Sequence, residues 1–169
     1  MTNPNHNKGG DKTHRILIFV LYAAAIAAVY CVLTIILAPI SYGPVQFRIS
    51  EALTVIPALT PAGIPGLIVG CFLANVLGPY GILDAVFGTA ATALAAVCTY
   101  YLRDHDWLVP LPPVIANGVI IGLELHYAYG VPGLWACMGW VAFGELVVCY
   151  VIGLPLFKLL KNRVGYIFQ

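Results

Sequence analysis

Long apolar stretches alternate with short breaks rich in proline and glycine along the whole chain. The first stretch, residues 16–38, contains no charged residue. As a helix it would measure about 34 Å, which is enough to cross a hydrocarbon core of about 30 Å. The same pattern recurs to the end of the chain and predicts six spans, at 16–38, 45–59, from the break at 60–65 to residue 77, 82–102, 108–125 and 134–160.

The second predicted span differs from the others because it is short and charged. The stretch 42–55, YGPVQFRISEALTV, contains Arg48 and Glu51. In a helix, a spacing of three places both side chains on one face. A charge inside a membrane segment is a functional hypothesis by default. Five spans with one re-entrant segment is the alternative interpretation of this region.

Composition places the chain in the bilayer. Hydrophobic residues make up 61% of the sequence and charged residues 9%, whereas a soluble domain has about 25% charged residues. We therefore expect an all-α integral membrane protein, with a polar tail at 1–15 and a single six-helix domain at 16–169. The five cysteines lie in apolar runs without the spacing of a metal site, so they are interpreted as packing residues.

The distribution of basic residues predicts the orientation. Cytoplasmic loops of membrane proteins carry an excess of lysine and arginine. Seven of the eight basic residues lie on one side if the span count is even, and Arg48 is the exception. Both termini are therefore expected in the cytoplasm. The seven are Lys8, Lys12, Arg15, Arg103, Lys158, Lys161 and Arg163.

With this topology, the polar side chains within the spans fall in the outer half or at the middle of the membrane. Such a one-sided distribution predicts a water-accessible cavity that opens outward. Four carboxylates against one guanidinium favour a ligand that is cationic or rich in N–H donors. The candidate substrate-binding residues are Arg48, Glu51, Asn75, Asp84, Asn117, Glu124 and Glu145.

Purely structural roles are open for most of these residues. Arg48 and Glu51 would then pair with each other, and Asp84 would cap the start of a helix. Glu124 would be solvated at the interface, and the two asparagines would join neighbouring helices. Glu145 is the hardest to explain in this way, since a carboxylate near the midplane needs a partner.

The first span contains small residues at helical spacing, and the chain lacks catalytic motifs. Ala23/Ala27 and Ala24/Ala28 each have the i, i+4 spacing that allows another helix to approach closely. No phosphate-binding loop and no hydrolase motif occurs. We expect neither enzyme activity nor a bound cofactor or metal in this chain.

Three stretches together resemble the queuosine-precursor (QueT-type) family of substrate-binding S components of energy-coupling factor (ECF) transporters. They are YGPVQFRISEALTV from Tyr42, GCFLANVLGPYGILDAVFGTAAT from Gly70 and LPPVIANGVIIGLEL from Leu111. The resemblance implies a six-helix protein of the bacterial plasma membrane that binds its substrate in an outward-facing pocket. The implied substrate is a 7-deazaguanine base, such as the aminomethyl form, or queuine.

The same resemblance implies partners. S components associate with a transmembrane coupling subunit and two ATPases, and the family's Ala-x-x-x-Ala motif in the first helix contacts the coupling subunit. Either alanine pair of this chain matches that motif. Lipid is the other expected partner, and nucleic acid is not expected. An S component for a thiamine-like micronutrient and a self-contained secondary transporter are the alternatives.

Overall fold

The computed structural model describes residues 6–42 and 47–164, and these ranges contain helices and no strand. Within these ranges, seven α-helices, a 3₁₀ helix and a π-helical segment follow one another. They are α1 (His6–Ile36), α2 (Ala38–Ser41), the 3₁₀ helix (Ile49–Ala58), α3 (Gly63–Val76), α4 (Gly81–Tyr101), α5 (Leu111–Tyr127), α6 (Leu134–Val147), the π segment (Val148–Gly153) and α7 (Leu154–Val164).

Three apolar segments among the described residues are long enough to cross a membrane: Lys12–Ile36, Gly81–Tyr101 and Leu134–Arg163. The last one runs without a break through α6, the π segment and α7. Most large apolar side chains of α1 are exposed on the isolated chain, as expected for a surface that faces lipid. The prediction of an all-helical, multi-pass membrane protein is confirmed, while the count of six remains a prediction.

The second predicted span is a 3₁₀ helix of ten residues. At a rise of about 2.0 Å per residue, it measures about 20 Å, less than the hydrocarbon thickness. Pro57 lies inside it, and Thr54 Oγ1 donates to the Glu51 carbonyl at 2.6 Å. α1, α3, α4 and the π segment pack around it. The segment is therefore an interior element, which explains why it tolerates charges.

Glycines set the close contacts between neighbouring helices. A β-carbon on Gly70 would lie 2.8 Å from the Ala27 carbonyl oxygen, and one on Gly66 would lie 2.8 Å from that of Ala23. α5 and α6 meet in the same way, since a β-carbon on Gly122 would lie 2.7 Å from Met138 Cα. The missing side chains allow α3 to pack closely against α1, and α6 against α5, around the polar interior.

Candidate functional site

Glu51 lies at the centre of the polar interior. Its side chain is fully buried on the 3₁₀ helix and accepts a hydrogen bond from the Tyr30 hydroxyl of α1 through Oε1. Its other oxygen, Oε2, is buried and accepts no hydrogen bond of normal geometry, although the Asn117 and Thr92 side chains interact with the carboxylate. One turn further along α1, Thr34 Oγ1 lies 2.6 Å from Ser50 Oγ. Hydroxyl groups of α1 therefore hold the start of the 3₁₀ helix, and one carboxylate oxygen remains available as an acceptor.

Glu145 of α6 joins the same cluster from the opposite side. Asn117 Nδ2 of α5 donates to Glu145 Oε1 at 2.9 Å. The Cys149 thiol lies 3.6 Å from Glu145 Oε2 and 3.7 Å from the Glu51 carbonyl oxygen. Both oxygens of Glu145 thus have neutral donors, and the thiol links the 3₁₀ helix to the last span.

Arg48 pairs with Asp84. Its Nη2 lies 3.5 Å from Asp84 Oδ2, and its guanidinium lies 5.2 Å from the centre of the Tyr42 ring. Only 4% of Arg48 and 2% of Asp84 is exposed. Arg48 therefore takes its ion-pair partner from the first turn of α4, where Asp84 lies.

Asn75 holds the start of α4 close to α3. Its Nδ2 donates to the Asp84 carbonyl at 3.0 Å and also lies 3.3 Å from Cys71 Sγ. A β-carbon on Gly88 would lie 2.5 Å from that nitrogen, so a larger residue there would displace the Asn75 amide. The Asn75 amide oxygen is buried without a hydrogen-bond partner. The interhelical role considered for Asn75 therefore leaves one acceptor unused.

Glu124 lies in the last turn of α5, near the predicted outer end of the span. It is 4% exposed, and its buried carboxylate oxygens accept no hydrogen bond of normal geometry, although the Tyr129 hydroxyl interacts with the carboxylate. It lines a cleft of about 500 Å³ between α4 and α5, whose other walls are mainly apolar and include Phe87, Leu123 and Tyr127. The alternative that Glu124 is simply solvated does not fit this burial.

Three tyrosines connect the loops that the predicted topology puts on the outer side. The Tyr129 hydroxyl donates to the Tyr80 carbonyl at 3.0 Å, and the Tyr80 hydroxyl donates to the Tyr42 carbonyl at 3.1 Å. The Tyr42 hydroxyl in turn donates to the Ala74 carbonyl at 2.8 Å. Burial raises the pKa of Tyr42 and of Tyr129 to about 12, so both remain donors at neutral pH. This tyrosine chain ties together the loops at one end of the cluster.

The predicted substrate-binding residues are thus all buried, and hydrogen bonds or the ion pair join most of them. Tyr30 and Cys149 were missed, although Tyr30 and Thr34 form an i, i+4 hydroxyl pair in an otherwise apolar span. Such a pair is the sequence signal that α1 has a polar inner face. The cluster is chemically an acceptor-rich site, and the described residues contain no group of three side chains suited to a metal ion.

The structure separates the two alanine pairs of α1. Ala27 is buried and Ala23 half-buried, and both contact the glycines of α3. Ala24 and Ala28 are exposed on the outside of the bundle. Only the second pair is accessible to another protein.

Comparison with known proteins identifies the family. The family model described as QueT transporter matches residues 20–162. The chain is 35% identical to the queuosine precursor transporter QueT of Lactococcus lactis subsp. cremoris (strain MG1363), over 82% of this chain and 90% of that protein. No solved structure matches the chain. The chain therefore belongs to the QueT transporter family.

Proposed function

We propose that this chain is the substrate-binding S component of an ATP-driven ECF importer, and that it takes up a queuosine precursor carrying a 7-deazaguanine base. The observation that carries the proposal is the buried cluster around Glu51, in which acceptor atoms outnumber donors. Its match to a queuosine precursor transporter supports the substrate. The resemblance to S components supports the mode of transport.

The acceptor atoms suit the edge of a guanine-like base. Such an edge carries adjacent N–H donors, and a carboxylate binds donor pairs of this kind well. Neither Glu51 Oε2 nor Asn75 Oδ1, both buried, accepts a hydrogen bond of normal geometry. A buried acceptor left without a donor costs free energy, which a ligand donor would recover. Glu145 and Asn117 hold the far side of the site.

Arg48 has a supporting role in this proposal. Its pairing with Asp84 supports a role as a counter-charge for the carboxylates of the proposed site. The position of Tyr42 over its guanidinium connects it to the outer loops. The proposed orientation, with six spans and both termini in the cytoplasm, puts these loops outside the plasma membrane. The substrate would therefore enter past the tyrosine chain.

The exposed pair Ala24/Ala28 is the proposed contact for the coupling subunit. Two small residues one turn apart allow another helix to approach closely. Hydrolysis of ATP takes place in two separate ATPase subunits in this proposal. Substrate binding, in contrast, requires this chain alone.

Binding to the purified protein tests the substrate. We expect a 7-deazaguanine to raise the melting temperature of the wild type, and Glu51→Gln and Glu145→Gln each to weaken binding by about tenfold or more. Asp104→Asn is a matched control, because it removes a carboxylate that is exposed in the loop after α4. Stabilisation by thiamine but by no deazaguanine would show that the substrate is wrong.

Uptake in cells tests the coupling. Uptake should require a coupling subunit and its ATPases, and the double substitution Ala24→Leu with Ala28→Leu should abolish it without affecting binding. Uptake by this chain in cells without any coupling subunit would instead indicate a self-contained secondary transporter.

A further inference from the structure

Tyr30 brings a hydroxyl group into the interior from α1, and packing fixes the position of its ring. The side chain is fully buried in a cluster with Leu67, Cys71 and Ala96. A β-carbon on Gly70 would lie 3.0 Å from Tyr30 Cβ, so α3 lies directly against the base of the side chain. A ring enclosed in this way has little rotational freedom, because protein interiors are close-packed. The hydroxyl is therefore held at one place beside the 3₁₀ helix.

Two groups compete for the Glu51 carboxylate, and the Tyr30 hydroxyl is the one that donates to it, at Oε1. The positive charge of Arg48, three residues earlier in the chain, also attracts the carboxylate. Arg48 nevertheless forms its ion pair with Asp84, and its buried Nε makes no hydrogen bond of normal geometry. An unused, positively charged donor thus lies within electrostatic range of Glu51. A carboxylate that was free to turn would be drawn to it.

The bond from Tyr30 leaves the Glu51 carboxylate able to accept a pair of ligand donors. A carboxylate has about four lone-pair positions on its two oxygens. Tyr30 occupies one position on Oε1, and the Asn117 and Thr92 side chains that also interact with the carboxylate are neutral. Pairing with a guanidinium would instead occupy both oxygens, since arginine commonly binds carboxylates through two parallel hydrogen bonds. The hydroxyl thus leaves a position on each oxygen for a ligand.

Building on the proposed function, we infer that Tyr30 is a positioning residue that makes the site specific for a base with two adjacent N–H donors. Its hydroxyl holds the Glu51 carboxylate away from Arg48 and orients it toward the substrate. A guanine-type edge, with a ring N–H and an exocyclic amino group, can donate to both carboxylate oxygens at once. A hypoxanthine-type edge has the ring N–H alone, so the orientation of the carboxylate matters less for its binding. Tyr30 acts through Glu51 and does not contact the substrate.

Two ligands that differ by one amino group test this inference. 7-Deazaguanine has the exocyclic amino group, and 7-deazahypoxanthine lacks it. We expect the purified wild type to prefer 7-deazaguanine by about 10- to 100-fold, the range of a hydrogen bond to a charged group. Tyr30→Phe keeps the packed ring and removes only the hydroxyl, and it should reduce this preference to about threefold or less. The affinity for 7-deazahypoxanthine should change by less than about threefold, since that base lacks the second donor.

Thr34→Val is the matched control. Thr34 also joins α1 to the 3₁₀ helix, one turn further along, but its partner there is Ser50 and not Glu51. The substitution removes a buried hydroxyl from the same interface, so it should lower the melting temperature of the ligand-free protein as Tyr30→Phe does. The preference for 7-deazaguanine should remain. Loss of the preference in both variants would mean that any weakening of this interface has the same effect, and the role of Tyr30 would be overturned.

A double substitution tests whether Tyr30 acts through Glu51. Glu51→Gln should abolish the preference, and adding Tyr30→Phe should weaken 7-deazaguanine binding no further, because residues that act as one unit are not additive. A further loss would contradict the inference, since the hydroxyl would then contact the ligand itself. If Glu51→Gln abolishes the preference but Tyr30→Phe keeps it, the inference fails and the proposed substrate stands. A wild type that binds both bases equally would also overturn the inference, and one that binds neither would overturn the proposed substrate with it.

Discussion

At the scale of the residue, the interior is unusual for its excess of acid. Among the residues whose burial the structure describes, four buried carboxylates accompany the single buried guanidinium of Arg48. Removing one partner of a buried ion pair is costly because the remaining charge stays in a medium of low dielectric constant. Arg48 is therefore expected to stabilise the fold through its ion pair with Asp84. Its positive charge also attracts the carboxylates of Glu51 and Glu145 over longer distances.

We expect Arg48→Met to lower the free energy of unfolding by about 3 kcal/mol or more, because Asp84 is left without its counter-charge. Adding Asp84→Asn should recover most of this loss. The measurement is thermal unfolding in detergent, with Arg103→Met as the exposed control. Equal effects of the two arginine substitutions would contradict the assigned role of the pair.

Sequence reasoning found the acids and amides of the site because each one stands alone in an apolar segment. It did not find the partner of Arg48, since Asp84 is 36 residues away and becomes a neighbour only when α4 packs against the 3₁₀ helix. Tyr30 and Cys149 escaped for another reason. Tyrosine and cysteine are common in apolar spans, so their presence there does not indicate a site.

At the scale of the element, α1 has one face that is packed against α3 and one face that is exposed. Its inner face meets α3 so closely that only small residues fit, as the 2.8 Å approach to the Ala27 carbonyl shows. Its outer face is exposed at Ala28, one residue further along. Ala27 is therefore needed for packing within the protein, whereas Ala28 is free to contact another protein. The i, i+4 spacing, which both alanine pairs share, could not distinguish these roles.

Leucine substitutions at Ala27 and Ala28 form a matched pair. Ala27→Leu should destabilise the protein by about 1–3 kcal/mol, because the added carbons have no room against α3. Ala28→Leu should leave the melting temperature unchanged, since its side chain points away from the bundle. Thermal unfolding of both variants checks this, and a large loss in Ala28→Leu would mean that the exposed face is packed.

The long spans were predictable because a continuous apolar run of sufficient length has few other structures available in a bilayer. The 3₁₀ helix was not, because the sequence pattern does not distinguish i, i+3 from i, i+4 hydrogen bonds over ten residues. The short length and the charges of this segment are compatible with either a membrane span or a re-entrant segment. Both features agree with an element that is enclosed by other helices.

At the scale of the whole molecule, the span count determines the orientation. The basic residues at both ends predict an even count, with both termini in the cytoplasm. A protease added to intact cells should therefore cleave a tag at neither terminus and should cleave both in inverted membranes. If one tag is cleaved in intact cells and the other in inverted membranes, the termini lie on opposite sides. That result would support five spans with a re-entrant segment.

The short length of α3 has a consequence for the surrounding lipid. Its 14 residues measure about 21 Å, whereas the neighbouring apolar segment Lys12–Ile36 measures about 37 Å. Exposed Phe72 and Leu73 show that α3 faces lipid. The perimeter of the protein therefore has unequal hydrophobic heights, and the bilayer must thin or the protein must tilt on one side. Membranes of shorter acyl chains should accommodate α3 with less deformation, so thermal stability is expected to depend on acyl-chain length.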